Sequence, residues 1–336
     1  MRKWYFRILL LLPLFGHAQL FDGIETLLLA KEDAEILLQG YTQPLGKSLI
    51  YAQNTGWAHT AKTHKPLGFD LTIGAGVSLV NDLDLKFMPQ GLRYVTVPES
   101  GLPTVFGAAN PQNLPVRIPT GANTPDLEAN LNFPGGAADD LPVQGMPAPT
   151  LQLSVGAWFN TDISVRYVPD LNLEGTSLGL WGLGIKHDLT QYLGPLERLP
   201  LNVSVLAARS SIGVRYDLPD AGTGTHVDFT MSTYTLQVLG SLDFPIISVY
   251  GAIGYSGGNA ELGMRGTYDL SYTQNIGGVD ITQNEQLVDP IQLGYQAHSA
   301  LGTLGFRVNL PLLKIYGQYS LQEYQTASLG VALSVR

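Results

Sequence analysis

The chain contains no cysteine. That absence excludes disulfides, thiol catalysis and attachment of a lipid through an N-terminal cysteine. Charge is scarce as well. Asp, Glu, Lys and Arg make up 14% of the 336 residues, against about 25% in an ordinary globular domain. No basic cluster is present and the formal net charge is −9. Phosphate recognition needs clustered cations, so the chain is a poor candidate for binding nucleic acid. Finally, there is no apolar run of the ~20 residues that a helix needs to cross a bilayer.

What is present begins with an export pattern. Arg2, Lys3 and Arg7 give a positive start, Ile8 to Phe15 an apolar stretch, and Gly16-His17-Ala18 the small residues that a signal peptidase selects. This reads as a signal peptide over residues 1–18, cleaved after Ala18. Losing those three cations takes the formal charge to −9 − 3 = −12. Glycine (38) and tyrosine (16) are plentiful while charge is low. That combination fits an exported chain with one face in lipid.

Residues 19–66 read as helical, then irregular. Asp22 to Glu25 has capping-box spacing. A second helix starts near Asp33, with Ala34, Leu37, Leu38 and Tyr41 on one face, and Gly40 and Pro44 interrupt it. Leu45, Leu49 and Ala52 form a further short stripe. From Leu67 onward the hydrophobic period becomes two, the signature of strands. Leu151, Leu153, Val155, Ala157 and Phe159 alternate with Gln152, Ser154, Gly156 and Trp158. At the C-terminus Leu329, Val331, Leu333 and Val335 alternate with Ser328, Gly330, Ala332 and Ser334. In Val227, Phe229, Met231 and then Tyr234, Leu236, Val238 the phase slips by one, which predicts a β-bulge near Ser232.

The polar set is small: Ser, Gly, Ala, Gln and Asn. Small polar side chains inward and apolar ones outward is the sense of a membrane barrel. Short turns at Asn160-Thr161, Asp243 to Pro245 and Asn309 to Pro311 fall at one end, and long connections at the other. These features predict an all-β fold, a transmembrane antiparallel β-barrel over 67–336 of about 12 strands, roughly 10 to 14. Ten strands are distinct, and Glu261 to Thr273 with Val279 to Val288 adds a hairpin. Met88 to Pro149 holds 11 of the 21 prolines. It reads as a long outer loop (88–149) or a plug folded into the lumen, because proline is excluded from central strands.

Several stretches carry a family resemblance. They are Gly56-Trp57-Ala58-His59-Thr60-Ala61-Lys62-Thr63-His64-Lys65-Pro66-Leu67-Gly68-Phe69-Asp70, Leu102 to Gly107, Phe133 to Gly136, and above all Leu180-Trp181-Gly182-Leu183-Gly184-Ile185-Lys186-His187-Asp188, followed by Leu199-Pro200-Leu201. The chain resembles a family of uncharacterised, unknown-function outer-membrane β-barrel proteins of Gram-negative bacteria. More distantly it is similar to the FadL-type long-chain fatty-acid transporters. That resemblance implies an N-terminal hatch inside the barrel, capture of hydrophobic molecules by outer loops, and sideways release into the membrane. It makes Leu37, Leu38, Tyr41, Leu45, Leu49 and Trp57 candidate hatch residues. Leu102, Val105, Phe106, Leu114 and Phe133 become candidate ligand-contacting loop residues. The Asn-Pro-Ala signature of that type is missing from the mature start, and the chain ends Val335-Arg336 rather than in Phe.

Other chemistry is weaker. His59 and His64 flank Lys62 and Lys65 with no third metal ligand nearby, so they read as a solvated basic turn. Lys186, His187 and Asp188 read as a polar strand end, since no serine sits in a nucleophile-elbow context. Asp139-Asp140 and Asp217 to Asp220 lack the spacing of a calcium loop. Trp57, Trp158, Trp181, Tyr192, Tyr255, Tyr316 and Tyr319 are candidates for aromatic girdles, some of them for the lumen. The expectation is therefore a non-enzymatic, cofactor-free, monomeric barrel in the Gram-negative outer membrane. Its partners would be outer-membrane lipid, a hydrophobic small molecule and, during insertion, the barrel-assembly machinery. The two leading functions are uptake of hydrophobic small molecules, and a structural or surface-interaction barrel with a plugged lumen whose outer loops bind a partner.

Overall fold

A computed structural model describes residues 32–118, 126–138, 144–173, 175–194, 200–218, 222–276 and 279–335. The expected signal peptide, the capping-box segment at Asp22 and the pair Asp139-Asp140 lie outside the described residues. Among the described residues one α-helix, α1 (Glu32–Gln53), precedes fifteen strands. These are β1 (Phe69–Leu79), β2 (Lys86–Phe87), β3 (Leu102–Pro103), β4 (Gln112–Ile118), β5 (Leu127–Phe133), β6 (Gly145–Ala157), β7 (Thr161–Leu173), β8 (Thr176–Asp188), β9 (Leu201–Asp217), β10 (Gly222–Asp243), β11 (Ile247–Ile276), β12 (Val279–Val288), β13 (Ile291–Asn309), β14 (Leu313–Leu321) and β15 (Thr326–Val335).

Ten antiparallel strands close into a ring in the order β1-β6-β7-β8-β9-β10-β11-β13-β14-β15, with β15 returning to β1. Ten is the low end of the expected range. The added hairpin does not contribute staves to the wall. Its first arm is the far part of β11, and β12 pairs with that part alone, Thr267 to Ile276, among the described residues. The short links at 158–160, 244–246 and 310–312 share one end of the barrel with the start of β1 and the end of β15. The long connections after β1 and around β12 share the other.

The exterior is apolar. On β15, Leu329 is 70% exposed and Leu333 48%, while Ser328 is 6% and Ala332 0%. The same outward row continues through Leu71 and Ile73 on β1, Ile163 and Val165 on β7, Leu183 and Ile185 on β8, Leu236 and Val238 on β10, and Leu304 and Phe306 on β13. In water such a wall would carry a large hydrophobic penalty; against hydrocarbon it carries none. Trp158, Phe159, Tyr192 and Phe244 stand exposed at the short-turn end, and Tyr167, Trp181, Tyr234, Tyr255 and Tyr319 at the other border. Aromatic rings at both edges of an apolar band mark a transmembrane barrel. Trp57 and Tyr316, also girdle candidates, are buried in the lumen instead.

The expected bulge near Ser232 is absent. Register with β9 and β11 runs unbroken from His226 to Leu242. The apolar phase switches because the surroundings do: Leu236 and Val238 face lipid, whereas Val227 and Met231 face an apolar core inside the barrel. The irregularity lies between Thr223 and His226.

Pro44 does not break α1, which runs unbroken for 22 residues. That length is about 33 Å at 1.5 Å per residue, the height of the barrel. Its neighbours are β13, β6, β1, β11 and β10, so it lies inside the ring. Gly46 lets the Tyr295 ring press on the helix, where a Cβ would meet that ring at 2.4 Å.

Candidate functional site

The plug packs in the lumen in two layers. In the layer toward the long loops, Leu37, Leu38 and Tyr41 of α1 pack in one core with Leu102, Val105, Phe106, Leu114 and Phe133. The 88–149 segment is therefore not an open groove. It carries the β4–β5 hairpin, its last residues belong to wall strand β6, and its five candidate ligand-contacting side chains are buried in plug packing. Polar ties fix the segment to the helix. Asp33 Oδ1 accepts the N–H of Arg93 (2.8 Å), and its Oδ2 those of Tyr94 (2.7 Å) and Val95 (2.9 Å). The Tyr41 hydroxyl donates to Gly135 O at 2.9 Å. Leu45 and Leu49 are only partly buried.

Below this layer, residues 54–66 fill the short-turn end. Trp57 packs with Leu206, Ala208, Leu239 and Ala252. The guanidinium of Arg166 lies 3.9 Å from the Trp57 ring centroid. Arg166 is fully buried, and it donates to Gln152 Oε1 (2.9 Å), Gln53 O (2.8 Å) and Thr55 O (2.7 Å). It thus supplies a cation at the C-terminal end of α1, where carbonyls lack helical partners.

His59 and His64 are not part of a solvated turn. Both are buried, while Lys62 and Lys65 beside them are exposed. The two ring nitrogens of His64 lie 3.0 Å from Asp70 Oδ1 and 3.1 Å from Asp162 Oδ2. Two carboxylates at these distances favour the imidazolium form of the ring. Burial by itself would lower the His64 pKa, but the hydrogen bonds and charges of Asp162 and Asp70 outweigh it and hold it above the ordinary value. Lys186 Nζ sits 3.0 Å from Asp162 Oδ2 and donates to Thr60 O (3.2 Å) and Lys62 O (2.9 Å). His59 faces the other way. Burial and then the charge of Arg307, whose Nη1 is 3.2 Å from Nδ1, push its pKa down to about 3, with Asp70 opposing. His59 also stacks on Tyr316, with centroids 5.0 Å apart.

A cavity of about 10 Å³ lies among Trp57, His59, His64, Asp70, Asp162 and Lys186. It has room for one water and nothing larger. No group of three or more ligands able to hold a metal occurs among the described residues. The arrangement is an ionic anchor between the plug and strands β1, β7, β8 and β13. His187 is apart from it, beside Thr161 Oγ1 (2.8 Å) and the Tyr192 hydroxyl (3.2 Å) at the membrane border.

The wall itself is incomplete at one seam. β6 pairs with β1 from Gly145 to Val155. It pairs with β7 only from Gln152↔Arg166 to Ala157↔Thr161. Residues 145–151 and 167–173 form no ladder with each other. The cause is written in the chain. Gly156 N–H donates to Gly68 O and Gly156 O accepts from Leu67 N–H, so even-numbered residues of β6 direct their backbone groups to β1 and odd-numbered ones to β7. Pro147 and Pro149 are odd-numbered and carry no N–H, so the β7 edge lacks two donors. On β7, Asn160 O accepts from Asp188 N–H on the β8 side, so odd-numbered residues direct their backbone groups to β6 as far as Tyr167, and Pro169, with no N–H, follows in the unladdered stretch. The register of β7 with β8 also shifts between Val168 and Leu171. Arg166 and Gln152 hold the last closed rung.

The chain belongs to DUF6588, a family of unknown function whose model matches residues 1–335. No curated protein matches it. Among solved structures it is similar to Ail, the attachment invasion locus protein of Yersinia pestis, at 10% identity and TM-score 0.26, over 81% of this chain and 100% of that one. It is also similar to the translocator domain of the autotransporter NalP from Neisseria meningitidis, at 10% identity and TM-score 0.29, over 81% and 89%. A third is the outer membrane protease OmpT from Escherichia coli, at 9% identity and TM-score 0.24, over 82% and 98%. Likeness of this degree carries no information about activity.

Proposed function

We propose that this DUF6588 chain is an outer-membrane barrel that takes up hydrophobic small molecules and releases them sideways into the bilayer, in the manner of FadL-type transporters. The open β6–β7 seam carries the proposal. A barrel that passes polar solutes needs an axial pore, but here the axis is occupied by α1, residues 54–66 and the described parts of the 88–138 segment. An apolar solute needs no axial pore if the wall opens laterally toward hydrocarbon. Unpaired backbone groups are costly in lipid, so closed ladders are the rule in membrane barrels. A stretch of seven unladdered positions on each side, edged by three prolines, is therefore a feature with a use. The export pattern and the apolar belt support a Gram-negative outer-membrane location, and on this reading the chain works as a monomer without cofactor or catalysis.

The test uses the cysteine-free background. Pro149→Cys and Pro169→Cys lie on the two edges of the seam, three residues beyond the last rung Gln152↔Arg166 on each strand, and no other thiol competes. Joining them by oxidation or a short bis-maleimide should abolish uptake of a hydrophobic fluorescent probe by cells, and reduction of the oxidised pair should restore it. Uptake that is indifferent to the cross-link sinks the proposal.

One observation favours a plugged surface-interaction barrel instead. Leu102, Val105, Phe106, Leu114 and Phe133 are all buried, so these five side chains offer no apolar capture groove. On that reading the cross-linked protein would keep every function, and replacing the outer β4–β5 hairpin would remove partner binding.

A further inference from the structure

The plug is off-centre. Thr42 bonds the hydroxyl of Tyr295 on β13, Lys47 and Tyr51 reach Glu323 between β14 and β15, and Ser48 reaches Ser78 O and Met146 N on β1 and β6. Taken at 100° per residue, these contacts turn Leu45 toward the remaining side, β7 to β11, and set Leu49 at its border with the Thr42 face. Both leucines pack against the edge of the plug core and are only partly buried by it.

The wall opposite them is apolar where a barrel lumen is ordinarily polar. Cross-strand partners face the same side of a sheet, and even-numbered β8 residues face inward, because Lys186 reaches the plug and a Cβ on Gly182 or Gly184 would meet the Trp57 ring at 3.0 Å. Two inward rungs follow above Trp57. The first runs Val168–Leu180–Ile212–Met231 and the second Leu171–Leu178–Val214–Phe229. Met231 is buried in the plug core and Ile212 and Phe229 pack against its edge, while Val168, Leu171, Leu178, Leu180 and Val214 remain partly or largely exposed although they face inward. The β6–β7 seam opens at the edge of this space.

We infer that these two rungs, with Leu45 and Leu49, form a lumenal chamber that binds an uncharged hydrophobic molecule and discriminates against carboxylates. The two rungs contain no Asp, Glu, Lys, Arg or His. The nearest inward cation, Arg166 below them, is already engaged by Gln152 Oε1, Gln53 O, Thr55 O and the Trp57 face, and it is 1% exposed. A carboxylate entering the chamber would lose its hydration and find no counter-charge, whereas an ester of the same chain loses little. The inference deepens the uptake reading and relies on it only for the exit route.

The experiment is displacement of a neutral fluorophore, N-phenyl-1-naphthylamine, from the purified full chain by methyl dodecanoate and by dodecanoate at pH 8. The ester should displace at a concentration at least about tenfold lower than the acid. Ile212→Glu and the uncharged filler Val214→Trp should each weaken ester displacement by about tenfold or more, with folding verified by the heat-dependent gel shift of the barrel. Equal displacement by acid and ester overturns the inference. So does unaltered ester binding in Val214→Trp, which decides alone if Ile212→Glu does not fold. A seam-locked protein that binds the ester normally yet takes up the probe normally would reject the lateral route and leave the chamber standing.

Discussion

Replacing Asp162 by Asn tests the ionic anchor quantitatively. Asp162 is 2% exposed, and its carboxylate meets Lys186 Nζ at 3.0 Å, His64 Nδ1 at 3.1 Å and His64 N–H at 2.9 Å. The amide keeps the shape and removes the charge. Lys186, 7% exposed, would be left with the carbonyls of Thr60 and Lys62 alone. Breaking a buried ion pair on one side costs about 3–5 kcal/mol, because the surviving charge stays desolvated. Asp162→Asn with Lys186→Met removes both charges, so the double variant should recover a large part of that loss. By contrast Glu128→Gln, which breaks an exposed pair with Arg117, should cost no more than about 0.5 kcal/mol. The measurement is urea unfolding in lipid vesicles followed by tryptophan fluorescence, with Trp57 above the anchor as a reporter. A loss below about 1 kcal/mol for Asp162→Asn, or a double variant worse than the sum of its singles, would refute the account of a dry anchor.

Two further outcomes follow from the same geometry. His59 titrates at about 3 in the folded chain against an ordinary 6.5, so the unfolded state binds the extra proton between those values and stability falls as pH drops through 6.5. His64 is shifted upward, so its contribution is complete below 6.5 and is lost as pH rises through its raised value. His59→Gln should flatten the acid limb of a stability profile measured by urea midpoint, and His64→Gln the alkaline limb; unchanged limbs contradict the assignment. Full-length protein should show little ohmic conductance in planar bilayers, and deletion of residues 32–66 should raise it many-fold in variants that keep the heat-dependent gel shift. A large steady conductance of the intact protein would contradict the plug.

The barrel was legible in the sequence because lipid imposes a strict period of two: Leu329 to Val335 outward and Ser328 to Ser334 inward are read directly. The plug was partly legible, since Ala34, Leu37, Leu38 and Tyr41 share a helical face, but Pro44 hid the continuity of α1. The anchor was not. His59 and His64 stand among lysines in the chain, and one of the carboxylates that claim His64, Asp162, is 98 residues away. Arg166 also escaped notice, being one inward position in an ordinary alternating strand. The seam did leave a signal: Pro147 and Pro149 fall two apart, which strips one edge of its donors. In a segment so rich in proline that spacing reads as loop.

The lateral route is tested most directly from the lipid side. Thr150→Cys lies on the inner face of β6 beside the seam, and Ala208→Cys lies on the inner face of β9 behind a closed ladder. In vesicles, an apolar maleimide carried in the bilayer should label Thr150→Cys and spare Ala208→Cys, and locking the seam should abolish the difference. Equal inertness of both thiols would mean that the wall is sealed to hydrocarbon and that hydrophobic molecules do not leave by this path.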